Sequence, residues 1–533
     1  MQLAVDLESA EITDQHIHEI DEEVPEIDEE VSTPSVCHQQ FVKMLSLLPT
    51  VTPLRLDSLT TRPGASSGLW LVVLVPLACS PGFYTSFMQC IPPPRLLSLL
   101  AIQAGVSGVH LYQQICLSGK KPTPGSNPEY SSSFMLRFVT HPFTPSLVTA
   151  GVIYVLTEIH PVIAVLCTSL CAWILYGSTQ WLFRTFPGNF SLGEGAIVGQ
   201  TIALTITCSL YNLGIHLMQT PKLSQTLEIS VFIQVAVLVL ALHIFIIHRV
   251  ALLRSPRMFL PSLCISGILG AALSSLILRK WVPLWLLDVL SSSSLRLSLL
   301  AWWGGLALLS LLITVWARRK SSLATTVLRK VYHVVIVLVF TPGLLLDPAI
   351  THLAAAAAMM LLCLLEFIRM EGLEPISSII STAFATFLDE KDGGVLILSH
   401  IYLLAGVACP LWLNPCTIED IKGTTSLPTS ILPLLAGVLS VGIGDTAASI
   451  GGTYFGRRKW FGTKKTVEGS ICGILTQMVV VGGLTMFDMV DVTWAIWGRL
   501  LVSTSLVAIV EALTDQVDNI VLPLLLYTSL MDL

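Results

Sequence analysis

Charge is what this chain has least of. Of its 533 residues only 12% are Asp, Glu, Lys or Arg, against about 25% in a soluble domain. Hydrophobic residues make up 53%, and the mean hydropathy is +0.76. That balance excludes an ordinary soluble globular class. The first thirty residues contain no Lys or Arg, and no basic stretch leads into an apolar core. Residues 1–65 are therefore expected to be an acidic, disordered, solvated tail rather than a cleaved signal peptide. Without that tail the formal net charge of -6 turns basic, which suits an anionic ligand. The twelve cysteines include no CxxC pair and keep no ligand-like spacing to His. Zinc, haem and a disulfide framework are therefore not expected, and Cys167, Cys171, Cys208, Cys264 and Cys363 read as small hydrophobes. Cys409 and Cys416 flank one predicted loop, which leaves a single pairing open there.

Apolar segments recur at the length of spanning helices, about 20 residues each. They fall near 69–89, 95–116, 147–168, 170–186, 194–217, 228–248, 259–279, 296–316, 331–346, 350–369, 397–413, 429–450, 470–487, 493–510 and 517–531, with 281–290 too short to span. The expected fold is an all-α, polytopic transmembrane bundle of about 13–15 spanning helices. No internal repeat is visible. The chain divides into the tail, an N-terminal multi-spanning region 66–320 and a C-terminal region 321–533 that carries most of the polar motifs.

Topology follows from parity. Arg318, Arg319, Lys320, Arg329 and Lys330 make one loop strongly basic, and the positive-inside rule puts it in the cytosol. Counting crossings in pairs from there returns the loop 370–396, the loop 451–469 and the segment Glu511–Asn519 to the same side. One catalytic site at one membrane surface requires that convergence.

The most unusual stretch is Val441–Ser470, VGIGDTAASIGGTYFGRRKWFGTKKTVEGS. Asp445 ends an apolar run and needs a cationic partner or a wet cavity. Arg457, Arg458, Lys459, Lys464 and Lys465 follow as the expected partners, with Glu468 beyond them. Gly451, Gly452, Gly456, Gly462 and Gly469 let the backbone bend and approach a ligand. Such a loop suits a nucleoside triphosphate with Mg²⁺. Asp445 and Glu468 supply metal ligands, and Lys464 and Lys465 hold phosphoryl oxygens. Asp445, Lys464, Lys465 and Glu468 are the catalytic candidates. The spacing from Gly456 to Gly462 does not make a P-loop, and GxGxxA at Gly442, Gly444 and Ala447 has no βαβ context.

VGIGDTAASIGG and FGTKKTVEGS, with LDEKDGG upstream and EALTDQVDN downstream, closely resemble the C-terminal half of eukaryotic dolichol kinases. The likeness to phytol and polyprenol kinases and CTP-dependent diacylglycerol kinases is more distant, and to CDP-diacylglycerol synthases faint. The match covers about 329–533; SLGEGA at Ser191–Ala196 is a weaker echo. The resemblance implies transfer of the γ-phosphoryl of CTP to the terminal hydroxyl of dolichol at the endoplasmic reticulum membrane. Its CTP-binding stretch corresponds here to Gly456, Arg457, Arg458, Lys459, Trp460, Phe461, Gly462, Thr463, Lys464, Lys465, Thr466, Val467, Glu468, Gly469, Ser470 and Ile471. The implied partners are dolichol, CTP and the bilayer, with no nucleic acid. Two other classes stay open: a kinase or cytidylyltransferase acting on phytol, diacylglycerol or phosphatidate, and a transporter. Crowding of the polar motifs into one half argues against the transporter.

Several residues carry two readings. Ser191 and Glu194 form a capping box that a helix start alone would explain. Asp389, Glu390 and Asp392 either ligate Mg²⁺ or solvate a loop. Arg329, Lys330 and His333 either touch phosphate or anchor a helix at the interface. Glu158 and His160, within an apolar stretch, either serve a pathway or substrate role or, the favoured reading, make a paired structural contact. Glu511, Asp515 and Asp518 fall on one face of a helix and point to the site or the cytosol.

Overall fold

The computed structural model describes residues 61–80, 94–118, 144–157, 159–219, 224–319, 325–384, 392, 394–413 and 431–531. Among these the protein is a bundle of helices, and the one β feature is an isolated bridge between Lys459 and Thr466. A 3-10 turn, Leu69–Val73, leads into α1 (Leu74–Cys79); α2 (Pro94–Ser118), α3 (Thr144–Thr157), α4 (Pro161–Thr185) and α5 (Leu192–Gln219) follow. Next come α6 (Gln225–Arg249), α7 (Pro256–Leu278), the short α8 (Val282–Ser291), α9 (Ser294–Arg319), α10 (Thr325–Leu346), α11 (Pro348–Met370) and α12 (Ile376–Phe384). The chain ends with α13 (Ser399–Leu413), α14 (Ile431–Leu434), a π-helical segment Val438–Asp445, α15 (Thr446–Phe455), α16 (Val467–Met486), α17 (Trp494–Leu513) and α18 (Asp518–Leu530). Eight of the described helices are long and apolar enough to cross a membrane, and further apolar helices are shorter. The protein is a polytopic helical membrane protein.

Most boundaries follow the hydropathy pattern, and the exceptions have local causes. The break expected near 169 lies at residues 158–160 instead. Pro161 starts α4 from the first helical position, where its missing N–H costs nothing, and His160 Nδ1 accepts from Val162 N at 3.4 Å. The Glu158 half of the expected pair lies outside the described residues. The segment expected to end near 450 continues to Phe455 through the π-helical stretch. Glu511, Asp515 and Asp518 do not share a helix face, because α17 ends at Leu513 and α18 begins at Asp518. The packed bundle also begins earlier than the expected tail boundary at residue 65. Residues 1–60 lie outside the described set, but Arg62 is 7% exposed and packed into the bundle. Cys409 is a free thiol, and Cys416 lies outside the described residues.

Among the described residues the ion pairs gather at the two ends of the bundle, where ionic groups can reach water or each other. At one end Lys280 Nζ pairs with Glu228, and Arg296 Nε meets Asp347 Oδ2 at 2.7 Å. The Asp347 carboxylate also caps α11 by accepting from Ile350 N at 3.2 Å. At the other end lie His248 and Arg254 around Glu371, and Arg369 on Glu366. All the polar motifs described below meet at this second end.

The centre is packed through small residues. Val407, Leu411, Leu435, Leu439, Val441 and Leu522 are almost wholly buried where α13, the π-helical segment and α18 meet. Gly406 makes that contact possible: a Cβ there would fall on the carbonyl oxygen of Asn519. Helices associate in lipid through such close backbone approach rather than by hydrophobic exclusion. Gly267 on α7, by contrast, has open space around it. Gly406→Ala is therefore expected to cost about 1–3 kcal/mol by overpacking and to lower the thermal unfolding midpoint in detergent by several degrees. Gly267→Ala leaves that midpoint unchanged or slightly raised.

Candidate functional site

Asp445 lies at the junction of the π-helical segment and α15. A π turn inside an α-helix is rare and costs regular hydrogen bonding, so it marks a place where the chain is shaped for something other than helix stability. Gly442 brings this segment close to α10; a Cβ there would stand 2.5 Å from Val337 Cγ2. One and two turns before Val337 on α10 are His333 and Lys330. Lys330 Nζ donates to Asp445 Oδ2, and His333 Nδ1 stands 3.2 Å from the same oxygen. The partner that Asp445 needed thus comes from a helix more than a hundred residues upstream, not from the five cations that follow it. Of the two readings of Lys330 and His333, neither anticipated this contact. Their i, i+3 spacing on a helix was the available signal, since it places both on one face.

The connection between α15 and α16 is a tight hairpin. Val467 N donates to Arg458 O at 2.8 Å, Trp460 N to Lys465 O at 3.0 Å and Thr463 N to Trp460 O at 3.1 Å. Gly462 takes φ +73 at the turn, a conformation that favours glycine. Phe461 is 98% exposed at the tip, and Trp460 Nε1 donates to Ser470 Oγ at 3.0 Å. Thr466 caps α16 by accepting from Gly469 N at 3.2 Å. The remaining glycines serve packing rather than ligand approach. A Cβ on Gly469 would stand 2.7 Å from Ala448 O, and one on Gly452 would stand 2.8 Å from Thr466 Oγ1.

The expected metal ligand Glu468 has a different occupation. Its Oε2 accepts from Arg457 N and Arg458 N at 3.0 Å each, and Oε1 accepts from Arg458 N at 3.2 Å. This ties the base of the hairpin to the first turn of α16 and leaves Glu468 apart from Asp445. Among the described residues no group of three or more His, Cys, Asp or Glu gathers to hold a metal ion.

The twin lysines diverge. Lys464 is exposed, as are Arg457, Arg458 and Lys459. Lys465 turns inward, its Nζ 3.0 Å from Glu511 Oε1 and 3.6 Å from Asp518 Oδ2. Burial alone would lower the pKa of that ammonium, but Glu511, Asp518 and Asp445 outweigh it and hold the group above its ordinary value. Val467 and Ile471 belong to the first turns of α16, with Ile471 half exposed.

The other motifs reach the same end. Asp392 of LDEKDGG accepts from Leu398 N at 3.0 Å and Ser399 Oγ at 2.6 Å, which caps α13; Asp389 and Glu390 lie outside the described residues. Asp392 and Asp518 line one cavity together with Asn189, Ser399, Tyr402 and Asn519. Asp515 accepts from Ser66 N at 2.6 Å and Ser66 Oγ at 2.7 Å. Burial pushes the Asp515 pKa up, but these hydrogen bonds prevail and hold it below the usual carboxylate range. Asn189 and Arg62 had no motif to single them out, since their partners are distant in sequence.

The end of the bundle thus brings together a lysine-paired aspartate, a second lysine between two acids, and a glycine-turned basic hairpin. The family model described as dolichol kinase matches residues 147–443, so the likeness begins well before the motifs that first suggested it. A dolichol kinase from Homo sapiens is 39% identical over 265 residues, 48% of this chain and 48% of that protein. Dolichol kinase EVAN from Arabidopsis thaliana is 36% identical over 251 residues, 46% of this chain and 42% of the relative. Dolichol kinase sec59 from Schizosaccharomyces pombe is 31% identical over 327 residues, 56% of this chain and 63% of the relative. No solved structure matches. The chain spans about half the length of these curated relatives. With the family model covering more than half of its residues, the chain belongs to the dolichol kinase family.

Proposed function

We propose that this protein phosphorylates the terminal hydroxyl of dolichol with CTP as donor, giving the dolichyl phosphate that serves as a lipid carrier in glycosylation. The relatives named dolichol kinase support the acceptor, and CTP follows from the family resemblance. The observation that carries the reading is the meeting of Lys330, Asp445, Lys465, Glu511 and Asp518 at one end of an apolar bundle. A prenyl alcohol keeps its hydrocarbon in the bilayer and offers only its hydroxyl near the headgroups, while a nucleotide stays in water. A charged site at the end of spanning helices is where the two can react. The basic residues of this end favour the cytosolic face by the positive-inside rule, in the endoplasmic reticulum membrane by family analogy.

In this reading the inward Lys465 holds the transferred phosphoryl group, with Lys464 and the exposed arginines drawing the anion from solvent. Glu511 and Asp518 fix the Lys465 ammonium before the nucleotide arrives, so little reorganisation remains for the reaction step. Trp460, Phe461 and Tyr454 offer ring faces to the base. Asp445 orients the lipid hydroxyl and accepts its proton, while Lys330 and His333 hold the carboxylate in place. No three acids gather among the described residues, but one or two carboxylates with the nucleotide's own phosphates are enough for Mg²⁺, and Asp445 presents hard oxygens that would hold it; Glu468 does not, because backbone N–H groups occupy its oxygens. When bound, such an ion neutralises charge on the phosphoryl oxygens.

Labelled CTP tests the reading with the purified full chain, dolichol and Mg²⁺. Label from the γ position is expected in the lipid. Label from the α position there instead would identify a cytidylyltransferase, and no lipid labelling from either position would refute both. Within the same assay Lys465→Ala is expected to lose about 10²–10³ in kcat/KM, the usual scale for a group that stabilises transferred charge. Lys464→Ala, at an exposed position, is expected to lose less than about tenfold.

A further inference from the structure

The SLGEGA segment does more than start a helix. Ser191 and Glu194 do form the reciprocal capping box: Ser191 N donates to Glu194 Oε2 at 2.9 Å, and Glu194 N donates to Ser191 Oγ at 3.2 Å. A cap needs nothing further. Yet Glu194 is 1% exposed and also receives Arg62 Nη2 at 2.6 Å and Val517 N at 3.0 Å, both on Oε1. Arg62 Nη2 reaches on to Asp515 O at 3.1 Å, and Ser191 Oγ meets the Gln516 side chain. Three consecutive residues, 515, 516 and 517, are thus each gripped from the N-terminal half of the chain. The next residue is Asp518, whose carboxylate faces Lys465.

The same loop holds a second motif. Asn189, 4% exposed, accepts from Val395 N at 2.8 Å and Leu396 N at 3.2 Å, and donates to Leu396 O at 2.9 Å. The fit is so close that a Cβ on Gly394 would overlap the Asn189 amide. Asn189 and Glu194 therefore pin the chain on both sides of the cavity shared by Asp392 and Asp518.

We infer that the Asn189–Glu194 loop, locked by Arg62, is a positioning template for the nucleotide site: it fixes the 515–517 turn so that Asp518 holds Lys465 in line for the phosphoryl group. The inference rests on the proposed role of Lys465. Glu194, Asn189 and Arg62 touch no substrate and act through the backbone they hold. Buried ion pairs give little net stability over apolar replacements, whereas an error of about 1 Å in a phosphate-binding group costs heavily in rate.

The test is the KM for CTP in Glu194→Gln, read beside the folded fraction from size exclusion. Glutamine keeps the shape but turns an amide N–H₂ toward Arg62 or Val517 N. A rise in KM for CTP of about tenfold is expected, together with a fall in kcat. Loss of folded protein alone would lower the maximal rate and leave KM unchanged. Ser66→Ala is the milder second variant, since it sits on the surface and removes only the hydroxyl's contacts to Asp515 and Gln516. It is expected to raise KM by about threefold with the folded fraction intact. Unchanged KM and kcat in both variants, with kcat/KM lowered in Lys465→Ala, would overturn the template. Unchanged kcat/KM in Lys465→Ala as well would overturn the nucleotide site on which it rests.

Discussion

An ionised carboxylate inside an apolar helix bundle has to be met by positive charge, and the rest of this site follows from how Asp445 meets that demand. Its partners are Lys330 and His333 on α10, which forces α10 against the π-helical segment and requires Gly442 at the contact. With Asp445 already matched, the cations of the following hairpin are released for other work. Four of the five are exposed, and the fifth, Lys465, is drawn inward by a separate pair of acids, Glu511 and Asp518. The end of the bundle thus holds two balanced ionic groups rather than one acid facing five cations.

Much of this was readable in the sequence because hydropathy and parity are strong constraints on a membrane chain. The all-α bundle, nearly every helix boundary after residue 190, and the gathering of the motif segments at one end follow from segment length and the order of polar loops. What the sequence hid was partnership. Lys330 and Asp445 are paired across 115 positions, and Glu194 and Val517 across 323. No local pattern encodes such pairs; only the packing of helices decides them. Glycine also misled in a specific way. Gly452 and Gly469 look like phosphate-loop residues, but in lipid small residues are the means by which helices touch, and only Gly462 takes the turn conformation.

The N-terminal half enters the site through the buried Arg62–Glu194 ion pair and the hydrogen bonds that this pair and its neighbours make to the C-terminal turn. Residues 61–68 and the loop before α5 grip the C-terminal turn at several backbone positions, although the sequence suggested a plain tail and a plain helix cap. A membrane enzyme whose reacting groups sit on connections between helices needs those connections held still. Here the bundle's apolar contacts set helix positions, and buried polar contacts such as Asn189 on Leu396 set the loops.

A structure of the full chain in lipid nanodiscs with a non-transferable CTP analogue measures the central claim directly. The account predicts the γ-phosphoryl oxygens within hydrogen-bonding distance of Lys465 Nζ, at the end of the bundle that holds Asp445. Phosphates bound at the opposite end, beside Arg296 and Asp347, or ordered anywhere out of reach of Lys465 Nζ, would contradict it.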